Sequence, residues 1–246
     1  MKKSLSLLEL QKVRGFLNFV STVVPLGRTF LRRLSNIELY FSRGIRHAKR
    51  PLSREAHKDL ACQWWLDVLR ITPERSIAKR TREVVSAWSD APSTQGLGAF
   101  YISETQTPPL PQSAFAITLP SHLANINEHI NTQATSAVEQ VLLHWGALWK
   151  HKHLIIHTDN QVVAHGLTNE TIRGAPMRVL RRCLLLAAEY DLDLEARWIS
   201  TKDNALADAL SCFDLNRIAD LAPQLLAETC SLQSHGFLIY GSQDSP

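Results

Sequence analysis

The sequence has few cysteines and no long apolar run. Its four cysteines, among 246 residues, form no Cys-x-x-Cys pair. This argues against a disulfide framework or a zinc ribbon and favours a reducing intracellular compartment, either nucleus or cytoplasm. No stretch approaches the roughly 18 apolar residues needed to cross a bilayer, and the N-terminus lacks the unbroken apolar segment of a signal peptide. We therefore expect a soluble protein with no membrane partner.

Several common catalytic motifs are also missing. The sequence contains no Gly-rich phosphate-binding loop, no Gly-x-Ser-x-Gly elbow and no His-Glu-x-x-His helix. Its composition, 45% apolar and 20% charged, suits an ordinary globular core and excludes wholesale disorder or a collagen-like repeat. Any chemistry has to come from other side chains, and carboxylates are the leading candidates.

The net charge of +4 conceals two halves of opposite sign. Residues 1–83 hold 18 Lys and Arg against 7 Asp and Glu, a balance of +11, and the rest of the chain holds 9 against 16, a balance of −7. Clustered cations release counterions from a polyphosphate, so the basic half predicts a nucleic-acid partner. A solvated basic surface is the alternative interpretation.

Hydrophobic periodicity divides the chain into two regions. Residues 1–80 show helical spacing from Leu5 onward, with Ser4 as a predicted N-cap, and form a small all-helical, basic lobe. From residue 84 to 213 strands alternate with helices, which predicts an α/β domain with a five-stranded mixed sheet and flanking helices, followed by a C-terminal tail over 214–246. The predicted strands are 84–90, 96–102, 113–119, 154–158 and 194–199. The predicted helices are 28–34 and 54–69 in the lobe, and 133–149, 176–190 and 205–211 in the domain.

Three aspartates lie at the end of a predicted core element or within one. Asp90 closes the first strand, Asp159 follows the fourth, and Asp208 lies within a small apolar helix. Each alone is typical of a cap, a turn or a solvated helix face. Together they predict converging carboxylates, which bind Mg²⁺ or Mn²⁺, and two such ions about 4 Å apart stabilise the attacking and leaving oxygens of a phosphoryl displacement.

These acids lie in motifs that resemble a known family. The sequence resembles the ribonuclease H domain and the preceding connection helices of retroelement reverse transcriptases, especially DIRS-like retrotransposon polyproteins. The resemblance covers about residues 5–213 and rests on the following segments: Leu8–Gln11, Gly15–Phe19, Val24–Leu34, Leu52–Leu60, Trp64-Trp65, Trp88-Ser-Asp90, His157-Thr-Asp-Asn160, Trp198-Ile199 and Asp203-Asn-Ala-Leu-Ala-Asp-Ala-Leu-Ser211.

The resemblance implies a ribonuclease H-like fold and hydrolysis of the RNA strand of RNA–DNA hybrids. Asp90 would bridge two metal ions, Asp159 would bind the first and Asp208 the second. Residues 1–80 would correspond to the connection region. The polymerase palm and its Tyr-x-Asp-Asp motif are absent from this sequence, so we expect no polymerase activity from this chain and interpret it as the C-terminal piece of a polyprotein.

One family residue is replaced. The family carries its catalytic glutamate in a pattern like Ile-Asn-x-x-Glu-Met-x-Ala, and here Ile130 to Ala137 puts Ala134 in the glutamate position. The helix stripe counted from position 134 is unbroken and apolar, whereas Glu139 lies about 140° away from it, given about 100° per residue. We therefore interpret Glu139 as a partly exposed acid and expect impaired activity. A register shift that makes Glu139 the catalytic glutamate stays open.

Basic side chains outside the catalytic positions are candidate nucleic-acid contacts, with a solvated face as the alternative. They are Arg28, Arg32 and Arg33 in the lobe and Arg178, Arg181 and Arg182 on the helix after residue 175. Tryptophans at helical spacing are typical of core packing, and the histidines around 144–157 lack metal-ligand spacing. A second hypothesis is therefore a catalytically inactive relic that binds nucleic acid.

Overall fold

The computed structural model divides the chain into two compact units, Met1–Arg80 and Thr81–Pro246. The structure describes residues 4–22, 24, 27–42, 50–51, 81–91, 96–103, 109, 111–119, 130–226, 232–233 and 236–237. The predicted helix over 54–69 and its tryptophan pair lie outside these residues.

Two helices make up most of the described part of the first unit. Strand β1 (Ser4–Leu5) pairs with β2 (Arg50–Pro51), and between them lie α1 (Leu7–Val20) and α2 (Gly27–Ser42). The sequence predicted Ser4 as the N-cap of this helix, but the N-cap of α1 is Ser6. Ser6 and Glu9 form a reciprocal capping box, which satisfies two backbone N–H groups at once. Arg14 on α1 forms an ion pair with Glu38 on α2.

The second unit is an α/β domain. Its strands are β3 (Val84–Asp90), β4 (Gly96–Ser103), β5 (Ala114–Thr118), β6 (His153–Thr158) and β7 (Asp193–Trp198), followed by the short pair β8 (Leu232–Gln233) and β9 (Gly236–Phe237). Its helices are α3 (Ile130–Trp145), α4 (Gln161–Thr168), α5 (Pro176–Glu189), α6 (Ala205–Ser211) and α7 (Leu215–Leu221), with 3₁₀ turns at Pro111–Ser113 and Pro223–Leu226.

The five long strands form one mixed sheet in the order β5-β4-β3-β6-β7. The first three strands are antiparallel neighbours, and β6 and β7 run parallel to β3. This is the predicted ribonuclease H-like arrangement, with the strand before Asp159 beside the strand that ends in Asp90. The fold class is confirmed.

Helices cover the two faces of the sheet differently. On one face, Trp145 and Trp149, each 1% exposed, pack edge-on against Tyr101 of β4, so these two tryptophans belong to the core as predicted. On the other face, α6 and α7 pack over β4 and β5 around Phe100 and Leu210. Among the described helices, none is both long enough and apolar enough to cross a membrane.

The domain continues beyond residue 213, where the sequence predicted a tail. Ile218 of α7 and Leu225 of the second 3₁₀ turn are fully buried in the cluster with Leu210. Burying aliphatic side chains of this size stabilises the fold by about 1.5–3 kcal/mol each, so residues 215–226 belong to the domain. The predicted domain boundary at residue 213 was therefore wrong for this segment. Residues 215–226 contain too few apolar side chains, in runs that are too short, for their spacing to predict a helix.

Candidate active site

Asp90 is the last residue of β3, and its side chain faces the sheet surface that α6 covers. Ser211 at the end of α6 donates a hydrogen bond from Oγ to Asp90 Oδ2 at 2.7 Å. Burial raises the pKa of Asp90 to about 6; Ser211 acts against this shift, whereas the negative charges of Asp159 and Asp208 add to it. The charges of the other two predicted acids therefore both act on Asp90 at the carboxyl end of β3.

Asp159 directly follows β6, the parallel neighbour of β3. The hydroxyl of Thr201 donates to Asp159 Oδ2 at 2.8 Å, and the indole N–H of Trp198 donates to the backbone carbonyl of Asp159 at 2.9 Å. Carboxyl ends of parallel strands meet at one edge of a sheet. The sheet register, with Trp88 opposite His157, brings Asp90 and Asp159 to that edge together.

Asp208 reaches the cluster because α6 lies very close to β4. Gly98 of β4 pairs with Asp90, and a Cβ atom built on Gly98 would lie 2.3 Å from the backbone nitrogen of Ser211 and 2.6 Å from the carbonyl oxygen of Ala207. Only glycine leaves room for this approach. Sequence reasoning missed Gly98, although a glycine within an apolar strand is the usual sign of a close backbone contact.

The carboxylate of Asp208 is also paired within the protein. Arg217 on α7 donates from Nη1 to Asp208 Oδ2, and Cys212 Sγ lies 3.9 Å from Oδ1. Sequence reasoning missed Arg217 because the helix that carries it was assigned to the tail. The nine-residue separation between the two partners gives no helical signal.

The chemistry of these donors fits a hard divalent cation. Carboxylate oxygens are the ligands that Mg²⁺ and Mn²⁺ prefer, and the raised pKa of Asp90 reflects burial together with like-charge crowding, which a cation would relieve. Within the described residues, no group of three or more His, Cys, Asp or Glu side chains is positioned to hold a metal ion. Three neighbouring donors hold the aspartates instead, namely Ser211, Thr201 and Arg217.

The start of α3 is tied to this edge of the sheet. Asn160, next to Asp159, caps α4 and donates from Nδ2 to Asn131 Oδ1 at 2.9 Å. Ala134 lies one turn after Asn131 and is buried, 6% exposed. Ala134, the position predicted to have lost its glutamate, is therefore one helical turn away from the contact between Asn131 and Asn160.

Glu139, on the same helix α3 as Ala134, is held by a residue of a neighbouring helix. Arg182 on α5 makes two hydrogen bonds to the Glu139 carboxylate, one from Nε and one from Nη2, the latter at 2.8 Å. The prediction that Glu139 is partly exposed was wrong, since the residue is 9% exposed. It is buried because its ion pair with Arg182 satisfies the charge.

The six candidate nucleic-acid contacts have different surroundings. The side chains of Arg28, Arg32 and Arg33 lie outside what the structure describes. Arg178 is exposed on α5. Arg182 bonds to Glu139, and these hydrogen bonds raise the pKa of its guanidinium. Its assignment as a nucleic-acid contact stays a prediction. Arg181 is only partly exposed.

His157, in the strand that precedes Asp159, has a packing role. The His157 ring stacks on Trp88 with their centroids 4.5 Å apart, and Trp88 stacks in turn on Phe100. Burial, followed by the charge of Arg197, lowers the pKa of His157. A neutral ring stacked on the sheet agrees with the structural interpretation made from the sequence.

Comparison with known proteins gives matches among solved structures alone. No protein-family model matches the sequence, and no curated protein matches it. The N-terminal RNase H domain from Mycobacterium tuberculosis, fused to maltose-binding protein, is 13% identical with a TM-score of 0.42, over 53% of this chain and 95% of that one. RNase H1 from Halobacterium salinarum NRC-1 is 17% identical with a TM-score of 0.42, over 58% of this chain and 100% of that one. The foamy viral protease-reverse transcriptase in complex with RNA/DNA hybrid is 15% identical with a TM-score of 0.39, over 57% of this chain and 22% of that one.

Proposed function

We propose that the second unit is a ribonuclease H-type hydrolase that acts on the RNA strand of RNA–DNA hybrids, with its rate reduced by the alanine at position 134. The observation that carries the proposal is the partly buried carboxylate of Asp90 at the end of β3, whose pKa is raised to about 6 by burial and by the charges of Asp159 and Asp208. An acid whose pKa is perturbed by burial and by neighbouring charges is a candidate functional group.

The chain's own residues prepare this site in specific ways. Ser211 and Thr201 each fix one carboxylate by a hydrogen bond, which limits the orientations open to Asp90 and Asp159. Asp90, Asp159 and Asp208 would hold Mg²⁺ or Mn²⁺, which when bound supplies Lewis-acid stabilisation of phosphoryl oxygens and a more acidic water. Asp90 must lose its proton before it can act as a ligand, and because its pKa is raised to about 6 in the metal-free protein, we expect metal binding to weaken as the pH falls.

Ala134 accounts for the reduced rate. A buried methyl group at this helix position supplies no ligand. Glu139 cannot replace it while both of its oxygens are bonded to Arg182. This same observation favours a second candidate function, an inactive nucleic-acid-binding relic. We infer for both candidates an origin in the C-terminal region of a retroelement reverse transcriptase that acts inside the cell.

The test is hydrolysis of a labelled RNA–DNA hybrid by the full chain, with and without Mg²⁺. Wild type is expected to cleave slowly and only with Mg²⁺, and Asp90→Asn to abolish cleavage. Ala134→Glu is expected to raise the rate by about 100-fold, since it returns a carboxylate to the turn beside Asp159.

Glu139→Gln is the matched control. It should leave the rate unchanged and lower the free energy of unfolding by about 1 kcal/mol, because its half-exposed partner Arg182 loses an ion pair. If wild type cleaves the hybrid at a rate typical of an enzyme and Glu139→Gln abolishes this cleavage, Glu139 is the catalytic glutamate. Hybrid binding without cleavage in every variant, including Ala134→Glu, would favour the relic.

A further inference from the structure

Helix α7 is held firmly against the domain. The chain reverses after α6 at Phe213, which adopts a left-handed backbone conformation with φ of 55°. Asp214 then caps α7 by accepting the backbone N–H of Arg217 at 3.1 Å. Ile218, fully buried beside Leu210, anchors the helix in the core. The backbone of residue 217 therefore has a fixed place.

This placement brings the side chain of Arg217 to Asp208. The guanidinium bonds Asp208 Oδ2, with the Arg217 and Asp208 side chains 41% and 25% exposed. The donors on the other two acids are neutral hydroxyls, from Ser211 and Thr201, which can rotate away from a carboxylate. Arg217 differs from them because it brings a permanent positive charge to the cluster.

The charge of the cluster then suits one divalent ion. When all three aspartates are ionised they carry −3, and Arg217 contributes +1, which leaves −2. A second divalent ion at Asp208 would have to share that carboxylate with the guanidinium and would meet its repulsion at short range.

We propose that Arg217 takes the place of a second metal ion at Asp208, so that the cluster binds a single divalent cation through Asp90 and Asp159. The inference rests on the proposed function, since it concerns the same three aspartates. It replaces the expected pair of ions by one ion and one guanidinium. Removing the guanidinium should therefore open Asp208 to a second ion.

The experiment is a titration of the full chain with Mn²⁺. Electron paramagnetic resonance measures the unbound ion, and the number of bound ions follows by difference. Wild type is expected to bind one ion. Arg217→Gln is expected to bind a second ion, or to bind the first about tenfold more tightly, because a repelling charge is lost. Arg217→Lys, which keeps the charge, should resemble wild type. Arg178→Gln removes an exposed positive charge from α5 and should also resemble wild type.

The outcomes separate this inference from the proposed function. If wild type binds one ion that Asp90→Asn abolishes, and Arg217→Gln changes neither stoichiometry nor affinity, the role of Arg217 is overturned while the metal site stands. If Arg217→Lys behaves like Arg217→Gln, charge is not the cause and the inference fails. If no variant binds Mn²⁺ at an Asp90-dependent site, the proposed function fails together with it. Thermal unfolding without metal checks that each variant is folded.

Discussion

Asp90 lies where ionisation is costly. Its carboxylate is partly buried at the end of β3 and is affected by the charges of two further acids, and the hydrogen bond from Ser211 offsets only part of the effect on its pKa. An acid whose pKa is raised in the folded state binds its proton more tightly there than in the unfolded chain. Folding is therefore penalised once the pH is high enough to ionise this carboxyl.

The pH dependence of stability should reveal this penalty. Below the ordinary value of 3.8 the carboxyl is protonated in both states, and the penalty grows as the pH rises from 3.8 through the folded value of about 6. Above pH 6 the raised pKa of Asp90 lowers the free energy of unfolding by about 3 kcal/mol. Asp90→Asn should therefore match wild type in stability near pH 4 and exceed it by up to about 3 kcal/mol at pH 8.

Urea unfolding of the two proteins at both pH values, without divalent ions, measures the difference. Asp220→Asn, at an exposed position of α7, is the control and should show no change of this size between the two pH values. An equal stability difference between Asp90→Asn and wild type at pH 4 and pH 8 would show that Asp90 titrates as an ordinary carboxyl.

At the scale of secondary structure, the site depends on how closely α6 approaches the sheet. The helix has seven residues and no side-chain N-cap hydrogen bond, so packing holds it in place. Ala207, Ala209 and Leu210 are fully buried against the sheet. Small side chains and the bare backbone of Gly98 together allow this close contact, which puts Ser211 within hydrogen-bonding distance of Asp90.

Gly98→Ala should break this arrangement. The added methyl group would meet backbone atoms of Ser211 and Ala207, which cannot rotate away as a side chain can. We expect the free energy of unfolding to fall by about 3 kcal/mol, with loss of Mn²⁺ binding. Gly15→Ala, on α1 with nothing within 4 Å of the added atom, should be neutral or stabilise by up to about 1 kcal/mol. Denaturant unfolding of both variants tests this, and near-wild-type stability of Gly98→Ala would contradict the packing argument.

The sequence predicted the strands of this domain better than its short helices. Strand β3 and helix α6 have the predicted bounds, because alternation within a strand and a compact apolar run are local signals. Helix α4 was not predicted, since its eight residues directly follow the strand and the Asp159 turn. Helix α7 has one fully buried residue, Ile218, and no periodic stripe to mark it.

The candidate site divides in the same way. The three aspartates could be predicted because each follows or lies within a recognisable element. The helical geometry of α3 also predicted that Glu139 points away from the stripe of Ala134. The partners Arg182, Arg217 and Thr201 could not be predicted. Arg182 and Thr201 lie 43 and 42 residues from their acids, and Arg217 lies nine residues from Asp208 on a helix that no periodic pattern marks. Such contacts follow from tertiary packing and not from local spacing.

For the whole molecule, the opposite charges of the two units suggest a division of roles. The first unit, residues 1–80, holds 17 basic and 6 acidic residues, a balance of +11, and the second, residues 81–246, holds 10 and 17, a balance of −7. The acidic unit repels a polyanion except where a cation binds. We therefore expect the first unit to supply most of the affinity for an RNA–DNA hybrid.

Salt dependence of hybrid binding tests this division. Each phosphate contact made by Lys or Arg contributes about 0.9 to the slope of log K against log salt concentration. Replacing Arg28, Arg32 and Arg33 by Gln should therefore weaken binding and lower the slope by up to about 2.7. Arg14→Gln is the matched control from the same unit. Its guanidinium is already bonded to Glu38, so the slope should stay at the wild-type value. An unchanged slope in the triple variant, or an equal loss in Arg14→Gln, would show that these three arginines do not contact the phosphate backbone.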